Sequence, residues 1–402
     1  MNAHVAAAWD ALRSSLWLIP ALMTLAAGAL SAVTLALDGR LRGAGGAFAW
    51  VYSGSAEGAR SVLATIAGSM MTVTGTTFSI TVAALTLASS QFGPRLLRNF
   101  MRDRGNQVVL GTFIATFVYC LLVLRMVRGG DGDQAVPHLS VTVGVLLSLL
   151  SLGALIYFIH HVAMSMQAAH VIANVGRDLD RAIEELFPQQ VGREREVPAA
   201  GASGLPAGFE EEAVPVAVAG SGYVQALDNG ALMRLAVERD LVLRVEARPG
   251  DFRVSGAPLV LAWPPERAGG LERAVNAAFA VGMQRTQAQD VEYGINQLVE
   301  IAVRALSPGV NDPFTAVACV DRLSDTLVRL ARQPEPSAWR HDPGGRLRIV
   351  AHPYDFVSEV RASFNQIRQY GRGSAAVSIR LLESLAAVAG AACRARDLEE
   401  LA

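Results

Sequence analysis

The chain has 402 residues, 51% hydrophobic and 18% charged, with 35 basic against 36 acidic side chains. That balance gives no global field for nucleic acid, while a positive mean hydropathy points to a membrane protein carrying a soluble part. All the basic residues counted are arginine, which excludes a phosphate-binding P-loop lysine, Schiff-base lysines and lysine-borne carriers.

A helix needs about 20 mostly apolar residues to cross a hydrocarbon core of about 30 Å. Four runs qualify: Ser15–Leu37, Ser61–Ser90, Gln107–Val127 and Leu139–Ala163. They define a four-helix transmembrane domain over 1–165. The first run is long and has no convincing cleavage site, which argues against a cleaved signal peptide. Arginine in the short loops sets the orientation. The loop after the second run holds Arg95, Arg98, Arg102 and Arg104 against Asp103, and is expected on the cytoplasmic side. Both termini are then cytoplasmic. Arg95, Arg98 and Arg102 fall on one helical face, which reads either as a short helix on anionic lipid headgroups or as an ordinary positive-inside loop.

The second run carries twelve Ser or Thr side chains and no charge. At 100° per residue, Ser61, Thr65, Ser69, Thr72, Thr76, Ser79, Thr86 and Ser90 lie within about 100° of arc. Small hydroxylated faces let membrane helices pack closely, with hydroxyls bonding across the contact or to their own backbone. The same face can instead line a wet path, where hydroxyls replace part of a solute's hydration. None of the four runs contains Asp or Glu, which counts against proton-coupled or cation-coupled carriers.

The fourth run continues in helical spacing through Val171, Ile172, Val175, Leu179, Ile183 and Leu186, which reads as an unbroken stalk helix over 166–187. His160, His161 and His170 lie near its start and read as interfacial residues. The Pro/Gly/Ala-rich stretch 188–212 reads as a linker. A small α+β module follows over 213–268. Its strands are expected at Val214–Val218, Gly222–Leu227, Leu241–Ala247 and Pro258–Trp263, with a helix over 228–240 and a hairpin signal in "RPGDFRVSGAPLVL". The rest, 269–402, reads as a helical cytosolic domain. Its helices are expected at Leu271–Arg285, Gln287–Leu306, Pro313–Ala331, Tyr354–Tyr370 and Ala375–Glu400, beside a strand-like "RLRIVA". Gln289, Tyr293, Gln297, Glu300 and Arg304 share a face, either a recognition surface or a solvated one. In "ALSPGVNDPFTA", Asp312 caps a helix that opens on Pro313, or Asn311 and the helix amides receive an anion. The cysteines Cys120, Cys319 and Cys393 are too far apart for a metal spacing or a disulfide framework. No nucleophile motif, metal set or cofactor motif is present, so neither an enzyme nor a cofactor is expected.

Through "GTTFSITVAALTLASSQFGPRLLRNFM", "GYVQALD", "PGDFRVSGAPL" and "RTQAQDVEYGINQLVEIAVRALSPGVNDPFTA", nearly the whole chain resembles a bacterial family of membrane proteins, the domain of unknown function 2254. The resemblance implies an inner-membrane protein with an N-terminal membrane part and a soluble part. It implies no particular activity. By match to these motifs, Arg285, Asp290, Gln297, Arg304, Asn311 and Asp312 are the candidates for a cytosolic ligand or partner, and with Pro313 the first positions to mutate. The functional expectation is a homo-oligomeric pore for an ion or small solute, with a cytosolic assembly or gating region. The alternative is a membrane-anchored binding or scaffold protein whose hydroxyl face only packs helices.

Overall fold

A computed structural model describes residues 17–41, 52, 54–93, 103–127, 136–186, 204–286, 289–333, 337–352 and 355–392. They divide into two compact units that part between Gln167 and Ala168. The first unit holds helices α1 (Leu18–Leu41), α2 (Ala56–Phe92), α3 (Arg104–Met126) and α4 (His138–Ser165), each long and apolar enough to cross a bilayer. They correspond to the four expected runs. Helix α2 is the outlier in length: 37 residues rising about 1.5 Å each reach about 55 Å, well beyond the hydrocarbon.

Helix α3 is the centre of this unit and packs on the other three. The core joins Ala59, Leu63 and Ala67 of α2 to Tyr119, Cys120 and Val123 of α3 and Val141 of α4. Close approach depends on small residues, as expected where lipid supplies no hydrophobic drive between helices. A side chain at Gly111 would put Cβ 2.5 Å from Met23 Sδ and 3.2 Å from the Pro20 backbone, so α1 and α3 meet backbone to backbone there.

The expected unbroken stalk is interrupted. Helix α4 ends at Ser165, the chain turns at Met166–Gln167, and α5 (Ala168–Leu186) begins afresh. The apolar stripe of α5, through Val171, Ile172, Val175, Leu179 and Ile183, is buried against two later helices. That burial makes α5 part of a core, where a free stalk would leave the same stripe in water.

The second unit is α+β. After a four-residue helix α6 (Phe209–Glu212) come β1 (Val214–Ala217), β2 (Gly222–Leu227), α7 (Asn229–Glu238), β3 (Val242–Val245), β4 (Phe252–Arg253), β5 (Pro258–Trp263), α8 (Glu272–Ala278) and β6 (Phe279–Gly282). Next are α9 (Val291–Ala305), α10 (Pro313–Arg332), β7 (Trp339–His341), β8 (Leu347–Val350), α11 (Phe356–Gly371) and α12 (Ala375–Ala391). One sheet has the order β1-β5-β3-β8-β7, with only β3–β8 parallel, and a second has the order β4-β2-β6. Leu232, Leu241, Leu243, Leu259, Val275 and Phe279 fill the core between sheets and helices. Helices α5, α9, α10, α11 and α12 form the helical part, with α9 packed by α5, α10 and α11.

Four details differ from the sequence reading. The expected helix Leu271–Arg285 stops at Ala278, because Phe279–Gly282 pairs antiparallel with β2 and that long-range ladder overrides the local helix preference of "AVNAAFAV". The "RPGDFRVSGAPLVL" stretch is not a hairpin: β4 joins β2 while β5 joins β1 and β3, so it links two sheets. Strands β6 and β8, from beyond residue 268, complete the sheets of the small module, so no seam falls at 268/269. The end of the expected linker is ordered, with Phe209 1% exposed beneath the Arg244 guanidinium at 5.4 Å; residues 188–203 lie outside the described residues.

Candidate functional site

Two groups of candidate residues stand out, one in each unit. In the membrane unit, α2 turns Ala56, Ala59, Leu63, Ala67, Thr77, Thr81, Ala88 and Phe92 inward. Ser61, Thr65, Ser69, Thr72, Thr76, Ser79 and Thr86 are all exposed on the outer side. The hydroxyl face therefore takes no part in packing this chain's own bundle. Thr65 donates to Ser61 O at 2.7 Å, Thr72 to Gly68 O at 3.2 Å, Thr76 to Thr72 O at 3.1 Å, Ser79 to Gly75 O at 2.9 Å and Thr86 to Val82 O at 3.0 Å. In these five the hydroxyl proton is thus spent on its own helix, and the oxygen keeps lone pairs free to accept. The result is a column of acceptors along the exposed side of the longest helix. Arg95, Arg98 and Arg102 lie outside the described residues.

Both ends of this unit are tied by polar contacts. Helix α1 runs one turn past the expected span and so includes an acid, Asp38, buried at the start of α4. Asp38 accepts from Leu139 N at 2.9 Å, Ser140 N at 2.9 Å and Ser140 Oγ at 2.6 Å, capping α4 from another helix. Close by, Tyr119 donates to Ser140 O at 3.0 Å and meets the Thr34 hydroxyl at 3.0 Å. Arg60 donates to Val127 O from both Nε and Nη2, at 3.1 and 2.8 Å, closing the end of α3. At the other end His161 Nε2 lies 2.5 Å from Asp103 Oδ2, and its ring stacks on Tyr157 at 5.2 Å. No group of three possible ligands able to hold a metal occurs among the described residues.

In the second unit the motifs around 250 and 290 converge. Asp290 caps α9 by accepting from Tyr293 N at 3.0 Å. It also takes a two-pronged contact from Arg285, Nε to Oδ2 and Nη2 to Oδ1, both 2.9 Å. Burial is the largest influence on both groups. It lifts the Asp290 carboxyl above its ordinary range, and it opposes the charge on Arg285, whose pKa is raised all the same by Asp290 and Glu292. Gly250 covers the pair: its φ is +99°, and a Cβ there would lie 2.6 Å from Asp290 Oδ2 and 2.7 Å from Arg285 Nη2. Arg248 reaches Glu292 at 3.6 Å and Asp251 at 3.5 Å, drawing the turn between β3 and β4 into the cluster.

Sequence reasoning missed the most perturbed member of this cluster. Glu359 of α11 is 7% exposed, and its Oε2 is fully buried with no hydrogen-bond partner among the described residues. Burial pushes its carboxyl up to about 8, helped by the charges of Glu292, Asp290 and Asp355 and opposed by Arg248. The available signal was positional. Glu359 sits in the stripe Phe356, Val360, Ser363, Phe364 and Ile367, on the side of α11 that faces the core.

The other motif residues are scattered. Gln297 is 1% exposed in mid-α9, while Gln289 before the helix is exposed and the Arg304 side chain near its end is 38% exposed, so the polar face is buried at its middle and partly open at its ends. Arg304 pairs with Glu300 one turn away at 3.5 Å. Asn311 has φ +49° in the turn beyond α9. Asp312 caps α10, accepting from Thr315 N at 3.1 Å and from Thr315 Oγ1 at 2.5 Å, which holds its carboxyl below the usual range. Asp312 is thus taken up by the helix corner. The 15 residues of α9 hold Asn311 and Asp312 roughly 20 Å from Arg285 and Asp290. Cys319 is fully buried, which pushes its thiol well up and removes it as a nucleophile.

Four apolar helices joined to a mixed α+β unit define a multi-pass membrane protein, and nothing among the described residues points to catalysis. The chain belongs to the family described as predicted membrane protein (DUF2254), whose model matches residues 13–387. It is similar to uncharacterized protein Rv1290c of Mycobacterium tuberculosis and uncharacterized protein Mb1321c of Mycobacterium bovis. Each is 34% identical over 348 residues, covering 84% of this chain and 65% of the relative. The chain thus spans about two thirds of the length of these relatives. No solved structure matches.

Proposed function

We propose that this protein is a homo-oligomer of the bacterial inner membrane, with both termini cytoplasmic, in which the hydroxyl faces of α2 from neighbouring copies enclose a polar path. The observation that carries the reading is the outward direction of Ser61, Thr65, Ser69, Thr72, Thr76, Ser79 and Thr86, which the single-chain bundle leaves uncovered. A column of hydroxyl oxygens gains nothing from acyl chains, whereas its free lone pairs can serve water or a cation. Because the outward atoms are acceptors, the path suits cations and small neutral solutes better than anions. The C-terminal unit assembles or gates the path, and Arg95, Arg98 and Arg102 rest on anionic headgroups.

The test is flux. Purified protein in liposomes should release a trapped monovalent cation faster than protein-free liposomes, and Thr72→Val with Thr76→Val should slow that release severalfold. Silence across pH, voltage and membrane tension counts against a path. A second reading is supported by the back-bonding itself: hydroxyls satisfied by their own helix suit a dry contact between copies of a membrane-anchored scaffold. That reading expects association without flux.

A further inference from the structure

Helix α12 buries Val377, Leu381, Ser384 and Val388 and leaves an unusual outer face. At 100° per residue, Ala375, Ile379, Leu382, Ala386 and Gly390 share about 80° of arc, and all five are exposed. A surface helix ordinarily turns charged and polar residues to water on that side. Here Ile379 is 56% and Leu382 68% exposed, and Phe314 of α10 stands beside them at 84%. Between Phe314, Val317, Ala376 and Ile379 lies an apolar groove of about 270 Å³. Arg380 and Glu383 form its rim and pair with each other at 2.9 Å, while Arg380 also reaches Asp321 at 2.5 Å.

We infer that this face is a contact between two copies of the chain, made by α12 packing antiparallel on its symmetry mate. The face is complementary to itself in size. Its large residues, Ile379 and Leu382, lie in the first half of the helix, and its small ones, Ala386 and Gly390, in the second. A two-fold axis level with residues 382–383 sets Ile379 against Ala386 of the second copy and Ala375 against its Gly390. The same axis brings Arg380 of one copy within a turn of Glu383 of the other, so the charges complement as well. The charges speak against a lipid surface as the occupant. Among the described residues of the face Arg380 is the one cation beside two carboxylates, Asp321 and Glu383, so the rim is net negative and would be repelled by anionic headgroups.

One helix face is small beside the roughly 800 Å² per partner of a stable interface. The contact therefore depends on the membrane unit, which holds copies at high effective concentration. It shares with the proposed function only the premise that copies associate, and it assigns a different surface to that association.

The experiment is cross-linking of the full chain in membranes, on a background with Cys120, Cys319 and Cys393 replaced by serine or alanine. Single variants Leu382→Cys, Val254→Cys and Thr72→Cys are treated with a short thiol cross-linker. Leu382→Cys, next to the two-fold axis, should give dimers at least fivefold above Val254→Cys, an exposed control in the β4–β5 connection. Adding Ala386→Trp, which overfills the small half, should remove that excess. If Leu382→Cys stays at control level while Thr72→Cys cross-links, this contact is overturned and the α2 association stands. If neither links, both fall. A Leu382→Cys thiol shielded from aqueous reagents but giving no dimer means lipid or another protein covers α12, which also overturns the inference.

Discussion

Replacing Glu359 by glutamine should change the pH dependence of stability by a calculable amount. The carboxyl ionises near 4.5 in the unfolded chain and at about 8 in the fold, where Glu292 and Asp290 face it from α9, Arg248 from the β3–β4 turn and Asp355 from the start of its own helix. A raised folded value means the stabilising contribution is complete below pH 4.5 and is lost as pH rises through about 8. At about 1.4 kcal/mol for each tenfold change, the loss is about 3 kcal/mol at pH 7 and about 5 kcal/mol above pH 8. Glu359→Gln keeps the shape and removes the titration. Its amide leaves a donor unmatched in place of an acceptor, a cost of about 1–3 kcal/mol that does not vary with pH. The readout is therefore the slope. Denaturant unfolding of the full chain in detergent, followed by the fluorescence of Trp263 and Trp339, is measured from pH 4.5 to 9. The variant should gain about 5 kcal/mol relative to the parent across that range. Parallel pH profiles would refute the claim that this carboxyl is held neutral by its surroundings.

Two further substitutions test the packing. Gly250→Ala places a Cβ against the Arg285–Asp290 pair at φ +99°, and should cost about 2 kcal/mol or more in the same unfolding assay; a loss under about 0.5 kcal/mol would mean the turn is free to move. Asp38→Ala leaves Leu139 N, Ser140 N and Ser140 Oγ without their acceptor and should cost about 2 kcal/mol. Thermal aggregation of the detergent-solubilised chain should then begin several degrees lower, and an unchanged midpoint would argue against the cap.

The membrane half was legible because crossing a bilayer demands long apolar runs, and the runs ending at Leu37, Ser90, Val127 and Ala163 lie within a few residues of the observed helix ends. The cap Asp312 is read locally and marks the start of α10, whereas Asp290 lies inside the expected helix Gln287–Leu306 and caps α9 only in the fold, as Asp228 caps α7. Features fixed by distant partners were hidden. Strand β6 looks helical until β2 lies beside it, and β8 pairs in parallel with β3, which precedes it by about a hundred residues (Leu243 to Ile349). Spacing placed the hydroxyls of α2 on one face, but the direction of that face depends on which side of α2 meets α3, and periodicity carries no such information. Glu359 and Arg248 likewise gain their meaning only when α11 and the β3–β4 turn are brought to the start of α9.

The most direct measurement is the aqueous accessibility of α2. Single cysteines at Ser69, Thr72, Thr76 and Ser79, in the cysteine-free full chain in native membranes, are offered a charged, membrane-impermeant thiol reagent. A water-lined path between copies requires all four to react, and at rates well above cysteines at Met71 and Phe78, exposed positions of the helix away from the hydroxyl arc. Four unreactive positions, or labelling no faster than at Met71 and Phe78, would contradict it.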